Sequence, residues 1–358
     1  MAAHRKIFVT LGMFIVDEFE FLDEDGKATG QTRAAQIGGG GTYAAIGARI
    51  WLSPQNVGMV LDRGAGFARE MQSALDEYGG DELFHFRDNP DRTTTRAVNK
   101  YRGDLRGFDY LTPRIRITPK DTLNTPLERA EMLHFICSPS RAAAILAEVS
   151  EIAGWTPRTL YEPIPDLCVP AELPALIKIL PDIHILSPNA DEALSLLSES
   201  ILGPLTRDTI EQAAYALLKH GVKEAVIIRA GATGVFVLVR GAKEAYWVPA
   251  FWSEDNPEAK NKVVDVTGAG NAFLGGLAAG LYLGSSQGGL EALVLEATLY
   301  ATVSASFTIE QPGLPRLDSE ARFGRVGMGE TWNGDVAVRR LNALRDNVQR
   351  VPLRSSLA

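Results

Sequence analysis

Apolar runs of strand length alternate with longer stretches of helical period along most of this chain, which predicts strands each followed by a helix packed back onto them. Residues 6–12, 57–61, 183–186, 225–229 and 235–239 are rich in Val, Ile, Leu and Phe and stop at or beside a glycine, a proline or a charged side chain, as buried strands do. Residues 264–267 read as one more strand, leading into the glycine turn Gly268, Ala269, Gly270 and an apolar helix that opens at Asn271. A late apolar helix is expected over 297–309 and a short closing helix over 339–345. Two segments break the alternation: residues 18–36, with an Asp25-Gly26 turn, and residues 93–117, which open on the β-favouring run from Thr93 to Val98. Hairpins are the natural expectation for both. The pattern predicts an α/β fold with one domain over residues 1–345 and a tail at 346–358 that has little to bury. Residues 252–262 read as a polar loop, and residues 314–334, rich in Gly and Arg, carry no readable role.

The turn at residues 268–270 changes the picture from fold to chemistry. Without Cβ atoms at Gly268 and Gly270, backbone amides can close on an oxyanion, and the start of the following helix adds partial positive charge. Asn271 would overhang that anion, where phosphoryl transfer calls for a carboxylate to accept a hydroxyl proton. An amide cannot accept that proton.

The pattern D-x-T-G-A-G-x from Asp265 to Asn271, with the helix after it, resembles the C-terminal signature of the ribokinase-like (PfkB) family of ATP-dependent sugar and nucleoside kinases. Family members carry Asp where this chain has Asn271. Further matches follow in the family's order. Residues 12–17 match G-x-x-x-x-D, whose Asp, here Asp17, binds acceptor hydroxyls in the family. Gly38, Gly39, Gly40 and Gly41 match its first glycine signature, which contacts substrate, with Tyr43 where Asn is usual. Asn189 and Glu192 match an N-x-x-E arrangement near magnesium and the phosphates, Glu192 acting through water. Arg229, Gly231 and Gly234 are similar to a T-x-G-x-x-G hairpin beside the triphosphate, Arg229 standing where Thr or Lys is usual.

The resemblance implies a three-layer α/β sandwich with a mostly parallel sheet and a small β lid at about residues 18–36 and 93–117. It implies ATP and Mg2+ as cofactors, with room for a monovalent cation. Gly268, Ala269 and Gly270 form the anion hole, Asn271 takes the base position, and Asp265 and Thr267 join the nucleotide contacts. The acceptor, a sugar or a nucleoside-like molecule, meets Asp17, Gly38, Gly39, Gly40 and Tyr43. The lid also serves many family members as a homodimer surface. Two functions follow: a phosphotransferase weakened at Asn271, or a catalytically silent binder that keeps the fold.

Plainer readings stand beside each match. Asp17 could close a strand, the glycines could form a linker, Asn189 and Glu192 could cap a helix, and residues 225–239 could be an ordinary hairpin. Gly39, Gly41 and Ala44, with Asp62 after the next strand, also satisfy the dinucleotide fingerprint of an NAD-dependent oxidoreductase.

Composition trims these alternatives. A net charge of −8 opposes general affinity for nucleic acid or an anionic membrane. The cations Arg92, Arg96, Lys100, Arg102, Arg106, Arg114, Arg116 and Lys120 cluster, but Asp91, Asp104, Asp109 and Asp121 interrupt them, as on a solvated strand face. Cys137 and Cys168 alone give no disulfide framework or metal spacing and suit a reducing compartment, so a cytoplasmic or nuclear address is expected. No nucleophile motif of the G-x-S-x-G kind occurs.

Overall fold

The computed structural model describes residues 5–102, 105–253, 256, 259–318 and 330–353. Its strands are β1 (Phe8–Thr10), β2 (Ile15–Leu22), β3 (Gln36–Gly38), β4 (Val57–Ala65), β5 (Phe84–Thr93), β6 (Arg96–Arg102), β7 (Leu105–Tyr110), β8 (Met132–Cys137), β9 (Arg158–Pro163), β10 (Ile185–Leu186), β11 (Ala225–Arg229), β12 (Val235–Val239), β13 (Glu244–Val248) and β14 (Gln349–Pro352). The helices are α1 (Gly40–Arg49), α2 (Arg69–Tyr78), α3 (Pro139–Glu151), α4 (Leu173–Ile179), α5 (Ala190–Leu196), α6 (Arg207–Lys219), α7 (Ala269–Leu283), α8 (Gly289–Thr308) and α9 (Ala337–Arg345). One ten-stranded sheet runs β14-β13-β12-β11-β10-β9-β8-β1-β4-β5, parallel from β11 to β5 and antiparallel from β11 to β14.

The period-2 alternation of the strand residues builds the layers. In β11, Ala225 and Ile227 join the core beneath α1, α7 and α8, whereas Val226 and Ile228 join the core beneath α3 to α6. The expected three-layer ribokinase-like α/β sandwich is therefore what forms. A second sheet, β3-β2-β6-β7, makes the lid. It begins earlier than the hairpin signal suggests, at Ile15, so Asp17 lies on a lid strand. The Asp25-Gly26 turn forms as expected, with Gly26 N–H donating to Asp23 O at 3.0 Å.

Three segments differ from expectation. Residues 264–267 form no strand: the Val264 and Asp265 N–H groups donate to Ile309 O at 2.8 and 3.2 Å, which ties them to the end of α8 instead of to a sheet edge. Residues 349–352, assigned to the tail, become edge strand β14 on β13. The described part of 314–334 is a structural clasp, where Glu330 takes both amino groups of Arg49 at 2.7 Å and buried Trp332 stacks on Tyr78. Residues 319–329, parts of the 252–262 loop, Asp104 and residues 354–358 lie outside the described residues.

The dinucleotide fingerprint finds no matching context. The strand before its glycines is β3, a lid strand antiparallel to β2, and Asp62 is held by the Arg87 guanidinium at 2.8 Å through both oxygens. A Rossmann turn would need a parallel strand there and an acidic side chain facing a ribose.

Candidate functional site

Glu162, Asn189 and Arg229 sit at the carboxyl ends of parallel strands or just beyond them, where ligands of open α/β sheets bind, and Asp17 on lid strand β2 faces them from the second sheet's root. One close helix crossing, with two glycine contacts, fixes the frame. A Cβ on Gly275 would come within 1.9 Å of Ala44 O, and one on Gly47 within 2.1 Å of Ala272 O, so only glycines allow α7 to lie this close to α1. That crossing brings the start of α7 onto the glycines that open α1. Gly38 packs on the Asp17 carboxylate, 1.9 Å from where its Cβ would be, and Gly40 faces the Asn271 amide at 3.1 Å by the same measure. Gly38 and Gly40 are at most about 7 Å of backbone apart. Asp17 and Asn271 thus border one site, and Asp17 is 4% exposed.

The turn at α7 has the anticipated backbone. Gly268 is left-handed, with φ 77°, and no side chain caps the helix start. Its surroundings were not anticipated. The Tyr43 ring, buried, lies where a Cβ on Gly268 would sit, 2.2 Å from that position, and the Arg229 guanidinium is 1.8 Å from a Cβ built on Gly270. The chain's own side chains therefore flank both glycines, and the cradle is narrower than the sequence suggested.

Behind Gly270 lies a carboxylate that sequence reasoning missed. Glu162, at the end of β9, accepts from the Asn271 side-chain amide at 2.8 Å and pairs with Arg229 at 2.7 Å. His134 Nε2 is 3.7 Å away, and its Nδ1 meets Thr10 Oγ1 at 2.9 Å. Burial pushes the Glu162 carboxyl up, but Arg229, His134 and Asn271 together hold it below the ordinary glutamate range. It is an ionised internal anion. A charged residue directly after Leu160 and Tyr161 was the only signal for it, and His134 within an apolar strand gave none that separates it from core.

Asn189 and Glu192 form a reciprocal capping box on α5: Glu192 N–H donates to Asn189 Oδ1 and Asn189 N–H to Glu192 Oε2, both at 2.7 Å. The capping alternative is thus realised. Burial pushes the Glu192 carboxyl up to about 7, and Arg229, more distant at 3.6 Å, offsets this only in part. Arg229 also donates to Ser187 O at 3.0 Å, so its fork is shared among protein acceptors. The hairpin of β11 and β12 turns at Gly231 and Gly234, which have φ of 55° and 101°. Asp265 Oδ1 accepts from Thr267 N–H at 2.9 Å and from its hydroxyl at 2.6 Å, which shapes the approach to Gly268.

Chemically, the arrangement offers an uncapped helix start with a guanidinium beside it, suited to phosphate oxygens. It also has a buried carboxylate, Asp17, at its border. No group of three or more His, Cys, Asp or Glu able to hold a metal occurs among the described residues.

Comparison with known proteins places this geometry. Residues 9–319 match the pfkB family carbohydrate kinase pattern. An uncharacterised protein of Schizosaccharomyces pombe is 32% identical over 349 residues, covering 93% of this chain and 91% of that protein. Protein MAK32 of Saccharomyces cerevisiae is 32% identical over 356 residues, covering 94% of this chain and 91% of its own length. Among solved structures, the Giardia lamblia ribokinase superposes with a TM-score of 0.66 at 19% identity, covering 87% of this chain and 96% of that one. The Arabidopsis thaliana ribokinase complexed with ribose and ATP gives 0.60 at 20% identity, with 87% and 95% covered. With the sequence pattern, the sheet order and the glycine turns in agreement, the chain belongs to the pfkB carbohydrate kinase family.

Proposed function

We propose that this protein binds a nucleotide and a hydroxyl-bearing acceptor of the sugar or nucleoside class, with phosphoryl transfer slower by about 10² to 10⁴-fold than a carboxylate at the base position would give. The observation that carries this is the Asn271 amide donating to Glu162. Asn271 has no basic lone pair to take a proton. Glu162, the carboxylate it donates to, is 4% exposed and already paired with Arg229, so it is engaged within the protein.

ATP fits the residues present. The amides at Gly268, Ala269, Gly270 and Asn271 and the Arg229 fork would hold phosphate oxygens, with the turn at Gly231 and Gly234 alongside, and the nucleotide would supply the transferable phosphoryl group. Asp17 would orient the acceptor hydroxyl, and the lid carrying it would exclude water. Magnesium fits less well, because Glu192 is spent on the α5 cap and is half protonated near neutral pH.

A working phosphotransferase of the PfkB type is the second reading, favoured by Asp17 and Asn271 bordering one site. Thermal shift with ATP and γ-phosphate transfer to a sugar and nucleoside panel decide between them. The proposal expects a shift with transfer about 10² to 10⁴-fold below the ordinary kinase range; turnover of about 1 to 100 per second, ordinary for kinases, supports the second reading.

A further inference from the structure

The cation cluster at the lid root is largely solvent-exposed, as expected of a solvated face, Arg92, Arg114 and Arg116 included. Part of it is neutralised: Lys100 pairs with Asp109 at 2.8 Å, Lys120 with Glu151 at 2.8 Å and Arg96 with Glu18 at 2.5 Å. Arg92, Arg114 and Arg116 have no carboxylate partner among the described residues. All three line one cavity of about 920 Å³ between the end of β5 and the segment returning from the lid.

The other charges around that cavity are accounted for. Arg87 bridges Asp62 and Asp121 at 2.8 and 2.6 Å, forming a floor that leaves one carboxylate in excess. Asp88 faces Arg63 at 2.7 Å. Against the three remaining guanidiniums stands Asp91, which keeps the local sum at one positive charge, counting Arg63 with the lining. Arg114 is further oriented by the Tyr110 ring, 4.9 Å from its guanidinium carbon. Guanidinium forks without a protein anion match oxyanions in twos. The cavity is of metabolite size.

We propose that this cavity is a second ligand site, taking a small metabolite with phosphate or carboxylate groups, gripped by Arg92, Arg114 and Arg116. The site shares no lining residue with the turn at residues 268–270 and does not depend on the activity proposed above. Pyrophosphate and citrate, titrated separately by calorimetry into the full chain, test it and distinguish the two kinds of oxyanion. Saturable binding of one or both is expected, weakened about tenfold by each of Arg114→Ala and Arg116→Ala. Asp91→Asn should tighten it about twofold to fivefold, a gain that misfolding cannot mimic. Unchanged affinity in all three variants would place the anion elsewhere and overturn the proposal. So would a failure of both anions to bind wild-type protein whose unfolding transition is intact.

Discussion

The two glycine segments of this protein start alike and end differently. Both turn into a helix, yet Gly38 and Gly40 rest on Asp17 and Asn271, whereas Gly268 and Gly270 are flanked by Tyr43 and Arg229. On the first side the acidic side chain stands where the family pattern puts it. On the second, negative charge resides on Glu162, behind the helix start, and the overhanging side chain is an amide that hydrogen-bonds to it. The contrast teaches that a backbone cradle and its chemistry are separable: the turn persists while the charge beside it is rearranged.

Breaking the second side should have the largest effect. Arg229→Ala leaves Glu162 ionised in the interior without its partner, with an expected loss of about 3 to 5 kcal/mol in chemical denaturation. The double change Glu162→Gln with Arg229→Gln should recover much of that loss. A single-variant loss below about 1 kcal/mol would mean the pair is not the buried charge pair described above.

Gly268→Ala tests the same side through the backbone. The left-handed φ and the Tyr43 ring both oppose a methyl group, so about 2 to 4 kcal/mol should be lost. The matching change in the exposed turn, Gly26→Ala, meets no side chain and should lose only the backbone part, about 1 to 2 kcal/mol. Equal losses at the two positions would remove Tyr43 from the account.

The smallest effect depends on pH. The Glu192 carboxyl is raised in the fold to about 7, so its protonated form is favoured there. Its contribution is fully present below the unfolded glutamate value and is lost as pH rises through about 7. Glu192→Gln should therefore change little at pH 5 and stabilise by about 2 kcal/mol at pH 8. A difference that stays flat across this range contradicts the shift.

What the sequence made legible follows from distance along the chain. Strand and helix periods, the Asp25-Gly26 turn, the Gly268 turn and the Asn189–Glu192 spacing are local, and each is present, the last as a helix cap. The run Val264 to Thr267 was misjudged because β-favouring residues form a strand only beside an open sheet edge, and this run lies against α8 instead. Glu162 and Asn271 are 109 residues apart, and nothing in either neighbourhood announces the bond. The pairing of Arg229 with Glu162 was not legible because the two come from different strands.

The central claim is that the proton acceptor is missing at position 271 because the carboxylate stands at position 162. Initial rates of γ-phosphate transfer from ATP, measured side by side for wild type, Asn271→Asp and Asn271→Asp with Glu162→Gln, test it most directly. The account predicts negligible transfer by wild type and little by the single variant, whose two adjacent carboxylates would share a proton. The double variant should transfer fastest. Wild-type turnover equal to or above that of the double variant would contradict it.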